Sequence, residues 1–104
     1  MQLYPLKLIT IVTEEVLKDQ MIHKAQELGA TGYTVYECQG KGVRGTRHDS
    51  VSGANVRIEL VCPESVAVAI LTTVSHDYFE HYACIAWISD VAVVRGARYV
   101  GKNP

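Results

Sequence analysis

The 104-residue chain is 48% hydrophobic and 20% charged, with a formal net charge of -1. Those proportions suit one globular domain spanning residues 1–104 and leave little room for a complete dinucleotide-binding fold. The balanced charge excludes a broad electrostatic footprint for nucleic acid. No apolar run approaches the roughly 20 residues that span a bilayer, and the opening MQLYPLKLITIVTEE reaches acids too early for a secretory signal. The expected setting is therefore cytoplasmic, with no membrane insertion.

Lys7 to Thr13 (KLITIVT) is a β-branched run of strand length, and Thr13, Glu14 and Glu15 then offer an N-cap and two acids for a helix N-terminus. From Val16 onward, Leu17, Met21 and Leu28 share one helical face with Ala25 between them, and Gly29 follows as the C′ residue. Beyond Gly32, Tyr33 to Gln39 has the Tyr, Thr and Val content of a second strand. Residues 40–54, GKGVRGTRHDSVSGA, hold four glycines and almost no large apolar side chain, and read as a long loop. Val56, Ile58, Leu60 and Cys62 alternate with Asn55, Arg57 and Glu59, the pattern of a half-buried strand that ends at Pro63, placed at helix position N1. Glu64 to about His76 is expected to be the second helix, with Val66, Ile70 and Val74 on one face. Asp77 to Ala83 turns the chain into a fourth strand, Cys84 to Val94. The order βαββαβ predicts an α+β, ferredoxin-like fold: an antiparallel sheet with two helices on one face and a long loop between strands 2 and 3. The other face is bare, and the alternation of Val56, Ile58 and Leu60 is expected to give it an apolar surface to bury against further copies.

Gly40, Gly42 and Gly45 spell G-x-G-x-x-G. In a dinucleotide-binding unit this turn leads straight into a helix, whereas here the first helix lies upstream and Thr-Arg-His-Asp-Ser follows; the pattern G-x-x-x-x-G-K-[ST] is absent too. What remains is a glycine-rich loop with Lys41, Arg44, Arg47 and His48 inside eight residues, an anion site in outline. A solvated loop whose charges only keep it soluble fits the composition nearly as well. The clustering tips the balance, since four of the fourteen Lys, Arg and His residues lie where a uniform spread would place about one.

Cys38, Cys62 and Cys84 are odd in number and widely spaced, so they predict reduced, packed thiols rather than a disulfide framework or a zinc ribbon. His76 and His81 flank two acids, but their spacing crosses the expected helix end, and no metal site is assigned. Tyr78, Phe79, Tyr82 and Trp87 are assigned to core and subunit interface, and the third strand lacks the aromatics an RNA-binding sheet would need. A small ferredoxin-like phosphate-processing enzyme is the alternative reading; against it, Glu14 and Glu15 stand where such an enzyme would cradle phosphate.

The succession KLITIVTEE, GATGYTV, GKGVRGTR, NVRIELVC and YFEHYACIAWIS resembles the PII-like signalling proteins, in particular their bicarbonate-linked branch, the SbtB and carboxysome-associated PII (CPII) proteins. The resemblance runs from about Lys7 to Val94, and it is the order of the segments that carries it. It implies a non-enzymatic homotrimer that binds adenine nucleotides in clefts between subunits, senses bicarbonate, and regulates a membrane bicarbonate transporter or a carboxysome-linked partner through the long loop, the T-loop. Carried over by position, Gly40, Lys41, Gly42, Arg44, Arg47 and Arg98 would meet the phosphates, and Val12, Thr34, Glu59 and Val61 would build the adenine and ribose pocket. Lys41, Arg44 and Arg47 are the candidate bicarbonate ligands. No tyrosine lies between Gly40 and Ala54, so the modification site of nitrogen-sensing members is missing. The acids and aromatics of Asp77 to His81 replace a lysine-rich phosphate loop, which favours AMP, ADP or cyclic AMP over ATP. Arg98 matches the second of two C-terminal phosphate arginines of the family, whereas Arg95 is offset by one from the first.

Overall fold

The computed structural model describes residues 1–40 and 55–99. Its elements are strand β1 (Leu3–Glu14), a 3-10 turn (Glu15–Leu17), helix α1 (Lys18–Glu27), strand β2 (Thr34–Cys38), strand β3 (Asn55–Cys62), helix α2 (Glu64–Tyr78), strand β4 (Cys84–Val94) and a second 3-10 turn (Gly96–Tyr99). The strands form one antiparallel sheet in the order β2-β3-β1-β4, and the expected ferredoxin-like α+β architecture is what the chain adopts.

The register decides what each face presents. Ile9 lies opposite Leu60 and Ile88, Ile11 opposite Ile58 and Ala86, and Thr13 opposite Val56 and Cys84. Ile9, Ile11, Val56, Ile58, Leu60 and Cys62 pack with Leu17, Met21, Ile22 and Ala25 on the α1 side and with Ala67, Ile70 and Val74 of α2 into one buried core. Val56, Ile58 and Leu60 therefore face the helices within the subunit, and the expectation that they supply the bare face is wrong. Period-two alternation separates two faces but does not say which one the helices cover. The uncovered face instead carries Leu8, Thr10 and Val12 of β1, Arg57, Glu59 and Val61 of β3, and Ile85 and Trp87 of β4, opposite one another in the register.

Local chemistry explains most element ends. Gly29 has φ +121°, Gly29 N–H donates to Gln26 O at 3.1 Å, and Ala30 N–H donates to Ala25 O at 3.0 Å, the paired bonds of a Schellman stop. Pro63 is the residue before the first turn of α2 rather than its first residue, and its carbonyl accepts Ala67 N–H at 3.0 Å. Helix α2 runs to Tyr78, so Asp77 and Tyr78 belong to it and not to the connection that follows. The buried side of α2 is Ala67, Ile70 and Val74, with Val66 only partly buried.

Candidate functional site

A cleft of about 340 Å³ opens beside β2 and β3, lined by Leu8, Thr31, Gly32, Tyr33, Thr34, Glu59, Val61, Arg98 and Tyr99. Three parts of the chain converge there: the uncovered sides of β1 and β3, the passage from α1 into β2, and the C-terminal 3-10 turn. The volume lies at the small end of the range for sites that hold organic ligands.

The sheet register places the β-strand residues. Thr34 lies opposite Glu59, and Leu8 opposite Val61, so the four project from one face in two neighbouring rows. Glu59 is held in position: its Oε2 accepts Tyr36 Oη–H at 3.0 Å and Arg57 Nε–H at 3.1 Å. The Arg57 guanidinium carbon lies 5.4 Å from the centroid of the Trp87 ring, so the cation contacts both a carboxylate and an aromatic face. Partial burial and then the Glu59 hydrogen bond hold the Tyr36 hydroxyl above its ordinary pKa. The cleft thus offers a fixed carboxylate, an exposed arginine, the hydroxyls of Thr34, Tyr33 and Tyr99, and an apolar strip from Leu8 and Val61. That set suits a ligand with an anionic end and a polar ring.

Of the residues singled out in the sequence, Thr34, Glu59, Val61 and Arg98 meet at this cleft. Val12 does not line it; it lies on the same sheet face opposite Arg57 and Ile85. Gly40 is exposed just beyond β2, with no described side chain or backbone within 4 Å of where a Cβ would sit. Lys41, Gly42, Arg44 and Arg47 lie outside the described residues. Sequence reasoning missed Leu8, Thr31, Gly32, Tyr33 and Tyr99. Leu8 was legible as the start of the Leu8, Thr10, Val12 alternation, whereas Thr31, Gly32, Tyr33 and Tyr99 reach the cleft through chain passages with no periodic signal.

The remaining constellations separate. His76 Nδ1 is 2.9 Å from Asp77 Oδ1, and His81 Nε2 is 3.9 Å from Glu80 Oε1. Among the described residues no group of three or more His, Cys, Asp or Glu side chains could hold a metal ion. Burial pushes the Cys62 thiol up to about 11 and raises Cys84 as well, so neither is a nucleophile at neutral pH. Cys38 ends the edge strand β2 and is half-buried. Tyr78 and Tyr82 form a tilted ring pair with centroids 5.9 Å apart, and Phe79, Tyr82 and Trp87 are exposed on the subunit, which removes the core half of their assignment and leaves the subunit-interface half. Glu14 accepts the Ala83 N–H at 2.9 Å, tying the start of β4 to the end of β1. No described helix is long and apolar enough to cross a membrane.

Residues 6–98 match the sequence profile of the family described as nitrogen regulatory protein P-II. The chain belongs to that family. It is a PII-like signalling protein, and its solved relatives agree. A protein assigned as PII-like signalling from Thermus thermophilus is 45% identical, with 96% of this chain and 100% of that one covered and a TM-score of 0.85. CPII from Thiomonas intermedia, solved with ADP, AMP and acetate, is 25% identical over 97% of this chain and 100% of that one, with a TM-score of 0.85. The same CPII bound to ADP, AMP and bicarbonate superposes with a TM-score of 0.83 at 26% identity, over 96% of this chain and 98% of that one.

Proposed function

We propose that this PII protein, a single domain over residues 1–104, is a non-enzymatic adenylate sensor. It binds AMP or ADP, with cyclic AMP as a further ligand, at the cleft of Thr34, Glu59, Val61 and Arg98. The carrying observation is that these four residues, separated by up to 64 positions in sequence, line one cleft together with Tyr33 and Tyr99. Ligands found with the CPII relatives support the nucleotide class.

The cleft is partly open to solvent, and the uncovered sheet face beside it leaves Ile85 and Trp87 exposed at 47% and 39%. A homotrimer would close both, burying the bare face and completing each cleft from a neighbouring subunit. Gly40, Lys41, Gly42, Arg44 and Arg47 are the proposed phosphate ligands on the loop side, with Lys41, Arg44 and Arg47 also meeting bicarbonate. Ordering about fifteen loop residues costs roughly 1 to 2 kcal/mol each in backbone entropy, more than a nucleotide's few loop contacts offset. A nucleotide alone would order only the loop base. A second anion and a protein partner would supply the rest, shifting a population of loop conformations. The partner is proposed to be a bicarbonate transporter or a carboxysome-linked protein, and the setting cytoplasmic.

The test is limited proteolysis of the loop, residues 43–53, in nucleotide-loaded protein titrated with bicarbonate, with chloride at equal ionic strength as the control. The proposal expects bicarbonate to protect the loop and to leave the nucleotide chemically unchanged. Loss of protection would reduce the reading to a plain adenylate sensor, and turnover of the nucleotide would favour the phosphate-processing enzyme instead.

A further inference from the structure

Arg98 reaches the cleft from a four-residue 3-10 turn, Gly96–Tyr99, and a turn that short has little internal rigidity. Two features hold it. It is entered through Arg95, whose φ of 64° lies in the left-handed region that a non-glycine side chain seldom adopts, and the Arg95 carbonyl accepts Arg98 N–H at 3.1 Å. Such a conformation persists where the surroundings over-determine it. The second feature is Tyr4, which packs against the next residue, Gly96. Gly96 is buried, and a Cβ placed on it would lie 2.3 Å from Tyr4 Cβ, 2.4 Å from Cγ and 2.7 Å from Cδ1. The Gly96 φ is not in the left-handed region, so glycine is required there by space and not by backbone conformation. Tyr4 is itself fixed by β1, opposite Val93 of β4, a few residues upstream of the turn.

We infer that the Tyr4–Gly96 contact is a positioning device that seats the C-terminal turn on β1 and so presents Arg98 to the anionic group of the bound ligand. The inference rests on the adenylate reading of the cleft, and it assigns a role to two residues that do not touch the cleft themselves. In Gly96→Ala the added methyl must displace either the turn or the root of the Tyr4 side chain. The root is anchored in a paired strand, whereas the turn is short, so the turn gives way and Arg98 moves with it.

The experiment compares adenosine with AMP by calorimetry on the full chain. Adenosine reports the ring pocket, and the gain of AMP over adenosine reports the group that meets phosphate. Gly96→Ala is expected to leave adenosine affinity within about twofold and to cut the AMP gain by about 10-fold, the loss expected for one charge-assisted hydrogen bond at an exposed arginine. Arg98→Ala should reproduce that loss. Tyr4→Ala, which removes the ring the turn rests on without adding bulk at Gly96, should cut the AMP gain in the same way, and it covers the case in which Gly96→Ala folds poorly. Equal weakening of adenosine and AMP, or an AMP gain unchanged in Gly96→Ala or in Tyr4→Ala, would overturn the positioning role. A wild-type protein that binds neither ligand would overturn the adenylate reading along with it, whereas wild-type binding that Gly96→Ala leaves intact would remove only the inference.

Discussion

Truncating Ile58 and Ile85 separately distinguishes what the helices bury from what only another subunit can bury. Ile58 is 0% exposed, lies between Ile11 of β1 and Val35 of β2 in the register, and faces the helices. Ile58→Ala removes three carbons, worth about 2.4 kcal/mol at roughly 0.8 kcal/mol per buried carbon, and the cavity left behind raises the expected cost to about 3 to 4 kcal/mol. Ile85 is 47% exposed in the subunit on the opposite face, so burial within the chain accounts for about half of the same transfer, near 1 kcal/mol for Ile85→Ala. Urea unfolding followed by circular dichroism measures both, and sedimentation velocity follows assembly over a range of protein concentration. Ile58→Ala should lose about 3 to 4 kcal/mol at every concentration, whereas Ile85→Ala should lose more than about 1 kcal/mol only where the wild type is assembled. An Ile58→Ala cost below about 1 kcal/mol would refute the assignment of β3 faces. An Ile85→Ala cost that does not depend on assembly would refute burial of the open face by another copy.

Gly29→Ala should destabilise by about 1 to 2 kcal/mol in a thermal melt, because φ +121° is closed to a side chain and its Cβ would meet Val66 Cγ2 at 3.0 Å. The burial-raised Cys62 thiol implies that stability falls as pH rises from the ordinary thiol pKa of 9.0 toward about 11, because the unfolded chain releases that proton first; Cys62→Ala should flatten this part of a pH-dependent unfolding series. Arg57→Ala should change the emission of Trp87, the single tryptophan, and cost about 0.5 to 1 kcal/mol in urea unfolding, the scale of an exposed cation–π contact. A thiol reagent at neutral pH should label Cys38 well before Cys62, read by mass spectrometry of the digested protein.

Strands and helices were legible where the signal is local. Cys84–Val94 has the expected bounds, and the glycine stop at Gly29 holds because a positive φ leaves a mark in the sequence. The extra N-terminal length of β1 was not legible, because Leu3 to Leu6 are strand only by pairing with Val91 to Val94, at the far end of the chain. Pro5 is tolerated there since β3 pairs with β1 only from Lys7 onward, so the Pro5 stretch is an edge on that side. The candidate site divides in the same way. Thr34, Glu59, Val61 and Arg98 came from the resemblance to a family, and the fold brings them to one cleft. Tyr33 and Tyr99 reach it through a helix exit and a terminal turn whose positions depend on packing against the sheet, so no spacing in the sequence announced them. Val12 has the right strand and the right face but lies beyond the cleft, a separation that only the register reveals.

The central claim, that an adenine nucleotide sits between Glu59 and Arg98, is tested most directly by calorimetric titration of ADP into the wild-type protein and into Glu59→Ala and Arg98→Ala. The account predicts saturable binding to the wild type and affinities about 10- to 100-fold weaker in each variant, the loss expected for a hydrogen bond to a charged group. Absence of binding to the wild type, or wild-type affinity in both variants, would contradict it.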